Sequence, residues 1–166
     1  NVKEDVGSPS ERWHMVFQIH EYKDFGEVWR CPPLAIEIVN KEFRVFNRWD
    51  VEKITKTDKN GCLAPNGSIQ AKTVLKNVPV NYDQWQHVSI EMKVSPFDDG
   101  ELNVKIADAN SGVLKGGNFY NDRNPPFLKF GVYKPEGWSQ SEINSNKPIC
   151  AHYKNFNLKS TALIKP

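Results

Sequence analysis

The segment Phe127–Tyr133 combines an apolar strand pattern with two side chains that can do chemistry. Side chains alternate along an extended strand, so Lys129, Gly131 and Tyr133 share one face and the apolar residues between them take the other. A glycine inside a strand usually marks a place where another group comes close to the backbone. The segment therefore predicts a ligand-facing surface that carries one cation and one phenol.

A second segment near the start of the chain, Val16–Tyr22, repeats this design. Gln18 and His20 lie on one face of the expected strand, and Phe17 and Ile19 lie on the other. If the two strands belong to one sheet and their polar faces are aligned, the polar side chains of both segments line a common surface. That surface is the candidate site.

These residues resemble a known family. The triplet Gln18-Ile19-His20 and the segment Phe127–Tyr133 look like the paired motifs of alginate-lyase-type polysaccharide lyases, which are β-jelly rolls. Residues 29–36 and 43–50 look more like the related heparin-lyase and glucuronan-lyase branches. The resemblance extends from Trp13 to about Leu158. It implies an all-β, two-sheet antiparallel β-sandwich of jelly-roll (concanavalin-like) type with a concave groove.

The resemblance also implies β-elimination of a uronic-acid polymer, without a metal or another cofactor. Elimination needs a group that neutralises the sugar carboxylate, a base and an acid. Gln18, Arg44 and Arg48 are candidates for neutralisation, because an amide donates a hydrogen bond and a guanidinium pairs bidentately with a carboxylate. His20 is the candidate base, since its ordinary pKa of about 6.5 leaves it largely neutral at pH 7. Tyr133 is the candidate acid, and also the base for one sugar epimer.

The spacing of the candidate residues along each strand indicates which of them can reach the same sugar. Gln18 and His20 are two residues apart, about 6 to 7 Å, so both can reach one sugar ring. Lys129 and Tyr133 are four residues apart, roughly 13 Å along a strand, so we expect Lys129 to bind a neighbouring sugar.

Each assignment has a structural alternative. A histidine or glutamine on a strand is often an ordinary hydrogen-bonded residue, and Tyr133 can simply cover the edge of a sandwich. Arg44 and Arg48 share one face of a strand, where burying two cations would be costly, so they are expected to line a wet groove. A role as ordinary solvated charges is equally compatible with the pattern. Three tryptophans, Trp29, Trp49 and Trp138, could stack on sugars, although burial is the default for such rings.

Composition limits the function classes. The chain has 166 residues and a net charge of +2, which predicts a single domain spanning residues 1–166 and gives no sign of nucleic-acid binding. The expected partner is an anionic polysaccharide. No apolar run has membrane-spanning length, and the first residues lack the apolar stretch of a signal peptide. A secreted or periplasmic location is implied only by the family resemblance.

Two features leave alternatives open. Family members usually carry an arginine- and glutamate-bearing strand upstream of the Gln-Ile-His triplet, and Ser10-Glu11-Arg12-Trp13 matches it poorly. We therefore expect either a missing N-terminal segment or a homodimer, because an uncovered sheet edge exposes unpaired backbone groups.

The three cysteines, Cys31, Cys62 and Cys150, contain no Cys-x-x-Cys pair, which disfavours zinc. They allow one disulfide and a free thiol, or no disulfide.

Eight strands are predicted, with turn residues between them and no convincing helix. They are Met15–Tyr22, Leu34–Val39, Glu42–Arg48, Ser68–Leu75, His87–Val94, Leu102–Asp108, Phe127–Tyr133 and Ala151–Lys159.

A non-catalytic, lectin-like carbohydrate-binding module on the same fold remains the main functional alternative. A glycoside hydrolase is less favoured, since it needs two carboxylates about 5 to 10 Å apart and the sequence offers no clear pair on the polar face.

Overall fold

The computed structural model describes residues 13–108, 110–134 and 150–160. Within those ranges the chain forms strands and no helix, which confirms the predicted all-β class. The strands are β1 (Trp13–His20), β2 (Leu34–Val39), β3 (Glu42–Trp49), β4 (Gln70–Pro79), β5 (Val88–Lys93), β6 (Glu101–Ile106), β7 (Asn110–Lys115) and β8 (Phe127–Tyr133). The described residues contain no helix long and apolar enough to cross a bilayer.

Two antiparallel sheets make up the predicted sandwich. The larger has five strands in the order β4-β3-β2-β1-β8, and the smaller has three in the order β5-β6-β7. The first and the last strand of the described fold, β1 and β8, are therefore direct neighbours. This adjacency joins the two segments that the sequence marked as chemically interesting.

The hydrophobic core lies between the sheets. The five-stranded sheet contributes apolar side chains from β2, β3 and β4, and the three-stranded sheet contributes them from β6 and β7. The core residues are Leu34, Ile36, Phe43, Val45, Val78, Leu102, Val104, Ile106 and Leu114. Each fully buried aliphatic side chain of this kind stabilises the fold by about 1.5 to 3 kcal/mol. Because every second residue of β2 and β3 enters this core, the residues between them must face away from it.

Seven of the predicted strands are found, with ends that differ by a few residues. The strand β7 was not predicted, because its sequence opens with the turn-forming residues Asn110, Ser111 and Gly112. The predicted strand 151–159 is wrong, since this segment has no strand pairing. It lies against β8 through side chains instead: the Tyr153 hydroxyl accepts a hydrogen bond from the Gly131 amide and donates one to the Val16 carbonyl, and the rings of Tyr153 and Phe156 pack on Phe130.

Gly112 shows why β7 begins with a small residue. A Cβ atom at this position would lie 2.2 Å from the backbone oxygen of Val74 in β4. Strand β7 therefore crosses β4 so closely that a side chain at this point would push two backbones apart.

We expect Gly112→Ala to destabilise the protein by about 1 to 3 kcal/mol, because overpacking against a backbone cannot be relieved by side-chain rotation. Urea denaturation measures the change. Ser111→Ala, at the exposed neighbouring position, should stay within about 0.5 kcal/mol of the parent. Equal stability of the two variants would contradict the close crossing of β4 and β7.

Candidate active site

The face of the five-stranded sheet that points away from the core carries the predicted site residues, and we call it the polar face. Its members include Gln18, His20, Arg44, Arg48, Lys129 and Tyr133. The strand register arranges them in three rows across the sheet. Each row runs perpendicular to the strands, with neighbouring members about 4.8 Å apart.

The first row contains His20 and Arg48. His20 pairs with Phe127 of β8, and the Arg48 amide donates to the Pro33 carbonyl at 2.7 Å. Because Ile19 pairs with Leu34, the next residues along the two strands, His20 and Pro33, are also opposite each other. His20 and Arg48 are thus two strand spacings apart, roughly 10 Å between their Cα atoms.

The second row contains Gln18 and Lys129, which pair directly across β1 and β8. On the other side of Gln18 the row continues through Ala35 to Phe46. Directly opposite side chains have Cβ atoms about 5 Å apart, so the amide and the ammonium can bind the same ligand group. The small side chain of Ala35 leaves the sheet floor low beside them.

The third row contains Tyr133 and Arg44, with Met15 and Glu37 between them. The pairing of β1 shifts between Met15 and Phe17, and this irregularity turns the Met15 side chain onto the polar face. There the Gln18 amide Nε2 lies 2.9 Å from the Met15 sulfur.

His20 and Tyr133 share the polar face but lie in its first and third rows. Their rows are four residues apart along β2 and five along β1, which corresponds to roughly 13 to 17 Å. Gln18 lies between them. The structure therefore groups Gln18, His20 and Lys129 closely and leaves the exposed Tyr133 at the other end of the face.

The two arginines differ in their surroundings. The Arg44 guanidinium bonds to Glu37 at 2.7 and 2.8 Å, so its charge is already balanced. The Arg48 guanidinium lies over the Phe46 ring at 4.3 Å and contacts the Pro32 carbonyl at 3.4 Å. Among the described residues no carboxylate lies within 4 Å of Arg48, so its charge remains available to an anion.

His20 is 6% exposed and is enclosed by aromatic rings. The Phe127 ring stacks on the imidazole at 5.4 Å, and the Trp29 ring meets it edge to face at 5.7 Å. The Lys129 ammonium lies 5.3 Å from the centre of the Phe127 ring. Burial lowers the pKa of His20, and the positive charges of Lys129 and Arg30 lower it further. His20 is therefore neutral at physiological pH.

On the polar face Lys129 and Tyr133 are exposed, whereas Gln18 and His20 are buried. A hollow of about 410 Å³ lies on the outer side of β5, β6 and β7, and one of about 230 Å³ lies at the β2–β3 turn, where Arg44 at the end of the polar face lines it. Because the amide, the imidazole and the cations without a carboxylate partner are spread over three strands rather than gathered in one cavity, the arrangement suits an extended anionic ligand better than a small enclosed one.

Comparison with known proteins decides the family. A family model described as polysaccharide lyase matches residues 2–153. The chain belongs to this polysaccharide lyase family. The match supports a lyase that acts on a polysaccharide and confirms the superfamily that the sequence motifs predicted. No curated protein and no solved structure gives a significant match.

In this polysaccharide lyase the loop between β1 and β2 is organised by a buried guanidinium. Arg30 contacts three carboxylates: Glu27 at 2.8 Å, Glu21 at 3.0 Å, and Asp122. Glu27 also accepts a hydrogen bond from the backbone amide of Thr55 at 2.7 Å. We call Arg30 and its three carboxylates the Arg30 cluster. It ties the loop that follows His20 to the segments around residues 55 and 122.

The Arg30 cluster holds three carboxylates and one cation, so full ionisation would bury excess negative charge. Burial raises the pKa of Glu21 to about 9; the attraction of Arg30 opposes this rise, and the neighbouring Asp122 and Glu27 add to it. Glu21 is therefore protonated at neutral pH, and its proton can be donated to Asp122. Without that proton Glu21 Oε2 and Asp122 Oδ1 have no hydrogen-bond partner among the described residues, and Glu21 Oε1 has only its ion-pair contact with Arg30 at 3.0 Å.

Sequence reasoning missed the Arg30 cluster and the rings around His20. Asp122 lies 92 residues from Arg30, and no local pattern links such distant residues. The aromatic residues Trp29 and Phe127 were visible within the family motifs, but their contacts with His20 follow from the loop path and the strand register. One signal was available: Glu21 directly follows His20 at the end of an alternating strand.

We expect Glu21→Gln to stabilise the protein increasingly as the pH rises from 5 to 8. A carboxyl whose folded pKa of about 9 exceeds its ordinary value of 4.5 holds a proton that the unfolded chain has lost. Stability therefore falls with pH in that window, by up to about 1.4 kcal/mol per pH unit. The amide removes this dependence and keeps the shape of the side chain.

The measurement is urea denaturation of parent and variant at several pH values. Glu42→Gln is the control, because it removes one carboxyl from an exposed position. If the stability difference between parent and Glu21→Gln stayed constant across the window, Glu21 would not be the protonated member of the cluster.

Proposed function

We propose that this polysaccharide lyase cleaves a uronic-acid-containing polysaccharide by β-elimination on the polar face. The observation that supports this most is the second row, where the Gln18 amide and the Lys129 ammonium stand opposite each other. In a chain of this family, such a pair suits recognition of a sugar carboxylate. Tyr133 lies on the same face and can carry protons.

The charges of the face favour an anionic substrate. Among the described residues, neither Lys129 nor Arg48 has a carboxylate within 4 Å. The carboxylate that does lie among the rows, Glu37, is buried and bonded to Arg44. A uronate chain would supply the missing negative charges, and charge-assisted hydrogen bonds to it would be stronger than neutral ones.

Gln18 is the proposed neutraliser of the sugar carboxylate. Its amide group now donates to the Met15 sulfur, which is a weak acceptor. A carboxylate oxygen that replaces the sulfur would gain a stronger hydrogen bond at little cost. Donors placed where charge develops are an effective source of transition-state stabilisation.

His20 is proposed to act as a neutral hydrogen-bond donor. Its Nδ1 atom lies 2.9 Å from the Glu21 amide nitrogen and 3.1 Å from the Glu21 carbonyl oxygen. A backbone N–H can only donate, so we assign Nδ1 as the acceptor. The single proton of the neutral ring is then on Nε2, and this N–H is the proposed donor to a ligand oxygen.

Tyr133 is proposed to carry the proton transfers. In its phenolate form its oxygen takes the proton beside the sugar carboxylate and becomes a phenol, and the electron pair of that C–H bond forms the new double bond. The glycosidic C–O bond breaks, and its oxygen receives the proton from the phenol. Tyr133 is 52% exposed, so a sugar can approach its hydroxyl directly. This assignment leaves His20 outside the proton transfer, in contrast to a mechanism in which it is the base.

An oxidising location is also proposed. Cys31 and Cys62 form a disulfide, and among the described residues Cys150 is an exposed free thiol. Stable disulfides are typical of secreted and periplasmic proteins. This supports the secreted or periplasmic location that the family resemblance implied.

Elimination produces an unsaturated uronate. Its ultraviolet absorbance is measured while the protein is incubated with alginate, glucuronan or heparin. We expect Tyr133→Phe to lower kcat by about 10³-fold or more with an unchanged fold, because the phenol oxygen is lost. His20→Gln should keep at least about a tenth of the activity, since an amide still donates a hydrogen bond but cannot act as a base.

The same series separates the alternatives. If His20→Gln is as inactive as Tyr133→Phe, His20 is the base and the donor assignment is wrong. Binding of a polymer without any absorbance change would indicate a lectin-like module instead of an enzyme. Circular dichroism and the urea midpoint of each variant control for folding.

Lys129→Met should raise KM several-fold at low salt, because the ammonium attracts the anionic chain, and the rise should shrink as salt screens that attraction. The exposed Lys105→Met on β6 is the matched control, since it removes an equal charge from the other sheet. KM values that change equally in both variants would show that Lys129 contributes only to the net charge.

A further inference from the structure

We propose that Trp29 forms a sugar-stacking subsite beside His20, with its indole ring against one pyranose of the polysaccharide chain. Three tryptophans were candidates for sugar contact in the sequence. Trp49 is half-buried against the hydrophobic core, and Trp138 lies outside the described residues. Trp29 is 55% exposed and contacts the imidazole of His20.

The backbone next to the exposed Trp29 ring is held in place by several contacts. The next residue, Arg30, is locked in its buried cluster, and the one after it, Cys31, is joined to Cys62 by the disulfide. The Cys31 amide also donates to the Gly61 carbonyl at 2.8 Å. Gly61 has a φ of +74°, and a Cβ there would lie 2.8 Å from the Trp29 carbonyl oxygen. Glu27, two residues before Trp29, belongs to the same cluster, so the chain is held on both sides of a large apolar ring that remains in water.

The ring contact leaves a stacking surface open. Trp29 and His20 meet at an interplanar angle of 75°, so the imidazole can cover at most one face of the indole. The other side of His20 is occupied by Phe127. A ligand that touches the His20 edge from the polar face would thus find an indole face next to it.

A sugar ring matches this surface. A pyranose has an apolar face of C–H groups and polar groups at its rim, and a large aromatic ring binds such an amphipathic ligand well. In a uronate chain, the carboxylates can reach Gln18 and Lys129 while a neighbouring ring lies on Trp29. The inference rests on the proposed function in one respect, that the ligand is a polysaccharide lying along the polar face.

Trp85 provides a matched control. It is 59% exposed, as much as Trp29, but the Lys154 ammonium lies 4.1 Å from the centre of its ring. Lys154 belongs to the 150–160 segment, which packs against the side of β8 that carries Phe130. Exposure alone therefore does not define the subsite; the contact with His20 does.

The test measures binding separately from cleavage. In a Tyr133→Phe background, which removes turnover, oligosaccharides of glucuronan, alginate and heparin are titrated by calorimetry. We expect Trp29→Ala to weaken the Kd of the bound oligosaccharide about tenfold and Trp29→Phe to weaken it less. Trp85→Ala should leave it unchanged. The loss at Trp29 should persist at high salt, unlike that of Lys129→Met, because stacking is not screened by ions.

Trp29→Phe keeps an aromatic ring, so it replaces Trp29→Ala as the test variant if Trp29→Ala does not fold. A Kd unchanged by both substitutions would overturn the subsite, even if the parent enzyme cleaves the polymer. Trp29-dependent binding without any cleavage would support the subsite and refute the lyase mechanism. Failure of all three oligosaccharides to bind would count against both proposals.

Discussion

The alternation of side chains along the central strands of the large sheet is the constraint on which the site depends. Leu34, Ile36 and Val45 enter the core, and the residues between them must point the other way. A slip of one residue would exchange the two sets and bury the polar groups. On β1, Phe17 and Ile19 pack against the same core, so Gln18 between them must face away from it, and the pairing of β1 with β8 then places Lys129 beside Gln18. Core stability and site geometry have the same physical origin.

One irregularity changes this pattern in a useful way. Plain alternation would place Met15 on the same side as Phe17, in the direction of the core. The shift in pairing between these two residues turns Met15 onto the polar face, where it meets the Gln18 amide. A thioether is a poor acceptor, so the amide is held in place without being strongly satisfied. Such an arrangement keeps a donor oriented and available.

The sequence predicted the parts of this protein that depend on local pattern. Period-two alternation and turn residues located seven strands and placed Gln18, His20 and Lys129 on one face. What it could not supply was pairing across strands. Arg44 has its partner Glu37 on the neighbouring strand, and only the register reveals that its charge is balanced. The same limit explains the wrong strand at 151–159, which has strand-like residues but packs through side chains.

The separation of His20 and Tyr133 also follows from register. The two motifs that carry them were each read correctly as strands, but an antiparallel pair runs in opposite directions, so the end of one motif meets the start of the other. His20 closes β1 and therefore meets Phe127, at the beginning of β8, while Tyr133 is carried to the far row. Two proton-carrying groups on one face need not serve the same sugar atom, which is why their roles are assigned separately.

The Arg30 cluster connects loop structure to the electrostatics of the site. Its guanidinium fixes the loop that presents Trp29. Burial lowers the pKa of His20, and the positive charges of Lys129 and Arg30 lower it further. Removing Arg30 would leave buried carboxylates without their cation, which is costly in a low-dielectric interior. Burial is the main reason why Glu21 keeps a proton, and the negative charges of Asp122 and Glu27 add to it. One buried cation thereby supports both the position of an exposed ring and the charge state of its neighbour.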